Sequence, residues 1–369
     1  MPRTAIVHEW VESIGGSEQV FFAIADAMGP ADLWSLWDER PSSDGSGRDI
    51  RRTWLSRTPL SGHKAASLPL MPLVWRTQPS PAYDLVISSS HCFAHTVRFP
   101  SSRDATYLSY VHTPARYLWE SGIDARQGSA WARPARAVLA RADARLGAHV
   151  TAVAANSAET ARRVERYWGQ EASVIHPPVD VDYFSTAPDV PAGVEGDYLL
   201  AASRWVAYKG LDQAILAAEI VGLPLVVAGH GPEEARLRAL AATVRVPVHF
   251  IVRPSRAHLR ALYANALAFV FPAHEDFGMM PVEAQAAGTP VVGIRAGGSL
   301  ETVADGVTGR LAETAAAGDL AAAIEQALAL PRGATMASHA LQFSSQRFTS
   351  QVQEWVGRHA GLSHEVSRA

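Results

Sequence analysis

Short apolar runs alternate with amphipathic stretches along nearly the whole chain, and no other feature restricts its fold as much. Runs such as YDLVIS and PLVVAG are apolar at successive positions, so a strand made from them must be buried on both faces. That pattern predicts parallel sheets covered by helices and built from βα units. In the first half the expected strands are Thr4–Glu9, Asp32–Trp37, Asp84–Ser88, Ala105–Val111, Thr151–Ala155 and Ser173–His176. Between Asp38 and Tyr83 the rhythm breaks into Pro, Ser, Gly and Arg around one apolar island, SLPLMPLVW. A loop of that length inside a domain is usually functional or mobile.

The segment His176–Gly196 is rich in proline and acid and reads as a linker. After it the strand candidates YLLAAS, PLVVAG, VHFIV, AFVFPA and PVVGI complete a second doubly wound domain. Helices are expected from Gly210, after Pro232, from Ser255 and from Pro281. The chain, at 369 residues, is long for one core. We therefore read domains at 1–183 and 184–334, with a helix over 335–360 packing back on the first.

The net charge of −3 carries no dominant basic stripe, so nucleic acid is not an expected partner. Cys92 is the sole cysteine, which fits a reducing compartment. A charged residue comes too early for a secretory leader, and no apolar run nears the roughly 20 residues of a membrane span. The expectation is a cytoplasmic protein. Among 33 basic residues only Lys64 and Lys209 are lysines. A lysine kept against such an arginine bias draws attention.

The most informative stretch is PAHEDFGMMPVEAQAAGTPVV. A strand ends at Ala273, a helix follows, and the loop between them lies where an open α/β sheet binds ligands. The N–H groups of Phe277, Gly278, Met279 and Met280 could serve an anion or a sugar hydroxyl. Glu275 and Glu283 stand at two heights along that segment, suited to two contacts on one extended ligand. ASRWVAYKG places Arg204 and Lys209 after another strand, where two cations can neutralise a diphosphate. AGHGPEEARL holds Gly229 and Gly231 but Glu234 where a dinucleotide fingerprint needs glycine. GIRAGGSLETV offers Gly297–Gly298 as either an anion nest or plain turn glycines. SYVHTPARYLWE sets His112 at a strand end. GGSEQV sets Gly15 and Gly16 at a helix start, with Ser17 and Glu18 placed to cap it. Trp131–Leu146 is a cationic amphipathic stretch suited to a solvated face or to anionic lipid.

EDFGMMPVEAQAAGTPVV resembles the E-x7-E signature of the retaining glycosyltransferases of family 4. HTP-x-RYLW, YDLVISSSHCFAHTV and HPPVDVDYF resemble a subgroup that includes bacterial O-antigen-type mannosyltransferases, so the likeness spans about Ile6 to Leu311. The resemblance implies the α/β GT-B fold, two Rossmann-like doubly wound domains facing a cleft. It implies that Glu275 lies near the donor sugar and Glu283 at the donor ribose, that Arg204 and Lys209 hold the diphosphate, and that His112 contacts the sugar. Gly16, Gly229, Phe277, Gly278, Met279 and Met280 complete the donor-binding set. Family members often carry glycine where this chain has Val252 or Arg253. The implied activity is retaining transfer of a hexose, GDP-mannose favoured and a UDP-sugar the alternative. The acceptor hydroxyl would belong to a glycan, a lipid-linked sugar or a small molecule, with contact at a membrane surface allowed. No cofactor and no metal are expected, since no DxD-like site stands at a strand end. Two rivals are a glycoside hydrolase using Glu275 and Glu283 and a non-catalytic nucleotide-sugar-binding protein.

Overall fold

In the computed structural model, which describes residues 2–12, 15–40, 48–119 and 132–361, strands form where the two-sided apolar runs fall. The first seven are β1 (Thr4–Val11), β2 (Asp32–Asp38), β3 (Ile50–Arg52), β4 (Leu85–Ser90), β5 (Thr106–Val111), β6 (Ala152–Ala155) and β7 (Ala172–Val174). They form one sheet in the order β3-β2-β1-β4-β5-β6-β7, every pair parallel. A second parallel sheet contains β8 (Leu199–Arg204), β9 (Leu225–His230), β10 (Val248–Val252), β11 (Ala268–Val270), β12 (Val291–Ile294) and β13 (Gly309–Ala312). Its order is β10-β9-β8-β11-β12-β13.

The inner strands of both sheets are buried on both faces, as the apolar runs require. Along β8, Leu200 and Ala202 enter one core with Val226, Phe269 and Val291. Leu199 and Ala201 enter the other with Ile215, Val227 and Val292. Each such aliphatic side chain contributes about 1.5–3 kcal/mol when fully buried. In the first sheet Ala5 and Val7 face Trp34 and Trp75, while Ile6 faces Phe21, Ile87 and Tyr110.

The chain divides at Pro178/Val179, ahead of the expected 183/184, because the Val179 N–H donates to the Phe343 carbonyl (2.9 Å). Val181 and Phe184 are buried beside Phe343 in the second unit's core. The first unit holds the residues up to Pro178 and those from Gln346 onward; the second holds Val179–Ser345. The expected C-terminal helix is two helices. Ala334–Ala340 buries Met336 and Ala340 and belongs to the second unit. Ser345–His359 puts Phe348, Val352, Trp355 and Val356 into the first unit's core.

Asp38–Tyr83 is less irregular than its composition suggests. It supplies β3, and its apolar island folds as the helix Met71–Thr77, burying Met71, Val74 and Trp75. β13 was hidden by the glycine and arginine in GRLA, with only two apolar residues between turns. Of the cationic stretch Trp131–Leu146, Trp131 lies outside the described residues; the helix itself runs Ala132–Gly147. No helix among the described residues is long and apolar enough to cross a membrane.

Candidate active site

In the second unit, consecutive crossovers leave β8 in opposite directions, since β9 lies on one side of it and β11 on the other. Ligands bind at such a switch point, beyond the carboxyl ends of the strands. Arg204 ends β8 and Lys209 follows in a short 3-10 turn. The Glu275 loop follows β11. Gly210 adopts φ 65°, and a Cβ there would stand 3.0 Å from the Pro272 side chain, so glycine lets the two loops close on each other.

That closure brings Lys209 and Glu275 into an ion pair. Lys209 is 8% exposed, so its charge has been withdrawn from water and needs a partner. Its ammonium also lies 5.1 Å from the centre of the Tyr208 ring. Arg204, by contrast, is exposed and makes no ion pair among the described residues; its guanidinium donates to the Tyr208 hydroxyl at 2.7 Å. Tyr208 thus touches both expected phosphate ligands, a role that neither periodicity nor motif marked.

The helix Met279–Ala286 begins two residues before the expected Pro281, with Gly278 as its N-cap at φ 81°. Left-handed backbone there favours glycine. Phe277 is buried against Phe343, with ring centres 5.4 Å apart, so only its backbone is available to a ligand. Met279 and Met280 are half-buried and pack on the same core. Glu283, one turn into the helix, accepts from the Tyr263 hydroxyl at 3.1 Å. Burial pushes its carboxyl up to about 7, opposed by the Tyr263 hydrogen bond and the Arg256 charge. Glu275 and Glu283 therefore differ in kind: one is an ion-paired carboxylate, the other a half-buried acid poised near neutrality.

The glycine pairs act by letting backbone meet backbone. A Cβ on Gly298 would lie 2.0 Å from the Phe277 carbonyl oxygen, and the Gly298 N–H donates to the Glu275 carbonyl at 2.8 Å. Gly297–Gly298 thus braces the Glu275 loop, which favours the turn alternative over a free anion nest. Gly229 and Gly231 likewise pack on Ser203 and Trp205, where side chains would collide with carbonyl oxygens at 1.9 and 2.3 Å. Arg253, after β10, is the one non-glycine residue with positive φ among those described, at 50°. Of Val252 and Arg253, the two positions where the resemblance implies glycine, it is Arg253 whose backbone favours one.

In the first unit the switch point falls between β1 and β4. Glu9 of β1 reaches the loop after β4. Its Oε1 accepts from the Ser90 hydroxyl and from the N–H groups of His91, Cys92 and Ala94, at 2.8–3.1 Å. Its Oε2 lies 3.1 Å from His91 Nδ1. Burial alone would raise the Glu9 carboxyl, but the His91 charge and hydrogen bond outweigh it and hold the group low. The same pairing raises His91 against its own burial. His112, at the end of β5, shares a 2.8 Å hydrogen bond with the Ser89 hydroxyl. Burial first, then repulsion from His8 and His91, drive it well below its ordinary value. His112 is thus a neutral imidazole beside a buried Glu9–His91 pair. Glu9, Ser89 and His91 escaped the sequence reading, although SSSHC directly after an apolar run was a visible polar signal.

Gly16 opens the helix Gly16–Met28, but Ser17 does not cap it. The Glu18 carboxylate folds over Gly15, where a Cβ would stand 2.0 Å from Oε2, and accepts from the Glu12 N–H at 3.3 Å. A carboxylate already occupies the helix start, so a phosphate approaching Gly16 must compete with it. His8, Glu9 and His91 could hold a metal, with ligand atoms within 4.8 Å of one another. The Glu9–His91 pair already gives two of them charge partners.

Comparison with known proteins follows the same division. Residues 14–183 match the description "Glycosyltransferase Family 4" and residues 188–342 match "Glycosyl transferases group 1". This chain belongs to the family-4 glycosyltransferases, with two Rossmann-like units of the GT-B fold. The D-inositol 3-phosphate glycosyltransferase of Mycobacterium bovis is 34% identical over 221 residues, 53% of this chain and 46% of that protein. The chain thus spans about half the length of the curated relatives it matches. In fold it is similar to Anabaena HepE, crystallised with UDP-glucose: TM-score 0.68, 19% identity, covering 96% of this chain and 99% of that one. Sucrose-phosphate synthase of Thermosynechococcus elongatus gives 0.70 and 18%, covering 97% and 99%.

Proposed function

We propose that this protein transfers a hexose from a nucleotide-sugar donor to an acceptor hydroxyl, retaining anomeric configuration and using no metal. The observation that carries the reading is the Lys209–Glu275 pair at the second unit's switch point, with Arg204 beside it and no carboxylate on Arg204. Breaking the anomeric C–O bond builds positive charge on the sugar and negative charge on the departing diphosphate. Arg204 and Lys209 are the groups to stabilise the second. A diphosphate that takes over Lys209 frees Glu275 to accept from sugar hydroxyls, while Glu283 accepts from the ribose. His112, neutral and hydrogen-bonded to Ser89, is suited to a sugar hydroxyl or to the departing proton.

GDP-mannose is the favoured donor on subgroup resemblance. A UDP-hexose is the alternative, and HepE, crystallised with UDP-glucose, is of similar fold. The acceptor is a glycan, a lipid-linked sugar or a small molecule, and the site of action cytoplasmic. The hydrolase reading is disfavoured because Glu275 is held by Lys209 instead of facing Glu283 as an acid–nucleophile partner.

The test is a thermal-shift screen of GDP, UDP and their sugars, followed by an assay of nucleotide release with candidate acceptors. A stabilising nucleotide sugar and acceptor-dependent release are expected. Sugar hydrolysis without nucleotide discrimination would return the hydrolase. Binding with no turnover on any acceptor would leave a sensor.

A further inference from the structure

Many arginines of the described residues find carboxylates. Arg48 pairs with Asp26 at 2.7 Å, Arg245 with Glu219 at 2.7 Å and Arg295 with Asp305 at 2.9 Å. Five of those that do not are gathered in one place. Arg76, Arg98, Arg103, Arg141 and Arg145, with His149, line one cavity of about 970 Å³ in the first unit. No carboxylate lines it, and none of the five makes an ion pair among the described residues.

Within the first unit this cavity is remote from His91 and His112. Arg103 precedes β5, Arg141, Arg145 and His149 precede β6, and Arg76 precedes β4, so the cavity lies at the amino ends of these strands. His91 and His112 lie at the carboxyl ends of β4 and β5. The helix carrying Arg141 and Arg145 does have a carboxylate, Asp143, but it is buried on another face. It accepts from the indole N–H groups of Trp119 and Trp168, both at 2.8 Å.

Arg98 shows that the cationic centre is built. Its guanidinium donates to the Val97 carbonyl at 2.6 Å and the His149 carbonyl at 2.7 Å, and lies 4.3 Å from the centre of the Tyr107 ring. Three fixed contacts hold the head in place, and none neutralises it. Burial lowers its pKa, the nearby Tyr107 oxygen opposes this, and the Arg76 charge lowers it further. Like charges gathered around a partly buried Arg98 repel one another, and the arrangement is relieved by an anion. Guanidinium forks match phosphate oxygens in geometry as well as charge. The volume lies near the top of the range of roughly 300–1,000 Å³ for small-molecule sites.

We propose that this arginine-lined cavity is a second ligand site, specific for a phosphate-bearing anion, supplied by a soluble phosphorylated compound or an anionic phospholipid headgroup. The probes are inorganic pyrophosphate, titrated calorimetrically, and vesicles of phosphatidylglycerol or phosphatidylcholine, scored by co-sedimentation. Because Arg204 and Lys209 are assigned a diphosphate of their own, both probes are also run on the Arg204→Ala/Lys209→Ala chain, which keeps the cavity intact. Failure there with success in wild type would overturn the second site while leaving the donor reading standing. The test variant is Arg141→Glu/Arg145→Glu, two exposed positions, with Arg103→Glu as an independent second. Pyrophosphate binding that weakens at least about tenfold in these variants, and by a larger factor at low salt, supports a soluble ligand. Sedimentation with phosphatidylglycerol alone, lost in the variants, supports a headgroup. No binding of either probe, or equal binding by wild type and variants, overturns the proposal.

Discussion

Lys209 and Glu275 are sixty-odd positions apart in sequence, yet each is the other's charge partner, and this makes their substitutions asymmetric. Removing one partner of a buried pair costs roughly 3–5 kcal/mol when the remaining charge stays buried. Lys209 is the buried member. Glu275→Gln is therefore expected to destabilise the second unit more than Lys209→Ala, while Lys209→Ala weakens nucleotide diphosphate binding more. Denaturant melts and calorimetry on the two variants separate these effects; the reverse ranking would dissolve the assigned roles. Glu283 predicts a pH signature. Its carboxyl is held near 7 against an ordinary 4.5, so the folded protein keeps a proton that the unfolded chain loses. Stability should then fall as pH rises from about 4.5 to 7, by at most about 3 kcal/mol, and level off above. Ribose hydroxyls donate to the ionised form, so donor affinity should rise through the same upper region. Glu283→Gln should flatten both profiles. The two carboxylates and the two cations were legible because each sits in a short motif after an apolar run. Their pairing was not, since nothing local in ASRWVAYKG names the loop it will meet.

Among the elements, the turn after β10 carries the clearest local conflict. Arg253 holds a left-handed backbone that costs an L-residue about 1–2 kcal/mol. Glycine removes that cost but adds unfolded-state entropy, of roughly 0.4–1 kcal/mol. Arg253→Gly should thus gain up to about 1 kcal/mol, visible as a raised urea midpoint with unchanged slope; a lowered midpoint would show that the arginine side chain contributes contacts of its own. The helix Ser345–His359 makes the opposite case. Phe348 is buried and meets the Tyr110 ring edge-on, with centres 5.8 Å apart. Phe348→Ala should cost about 3–5 kcal/mol in the first unit. Every strand but β3 and β13 was readable because two-sided burial leaves uninterrupted apolar runs. The elements in Asp38–Tyr83 were not, because β3 is three residues long and two of them, Arg51 and Arg52, are exposed. Glu9 was hidden for a different reason: a carboxylate inside a strand reads as a solvated edge until its four donors are seen.

For the molecule as a whole, the first unit is discontinuous and the second is not. A polypeptide of Val179–Ser345 contains both of its hydrophobic clusters and should fold alone. One ending at Pro178 lacks Phe348, Val352, Trp355 and Val356 and should lose cooperative melting. Circular dichroism on the two fragments checks this, and restoration of the first by a synthetic peptide of residues 345–361 would localise the defect. The same connectivity governs biosynthesis. The ribosome makes most of the first unit before the second, yet the first cannot bury its last apolar surface until residues 345–359 emerge. The second unit, synthesised in between, has everything it needs beforehand. Completion therefore runs opposite to the order of translation, and the early segment waits with an open groove that a chaperone could shield.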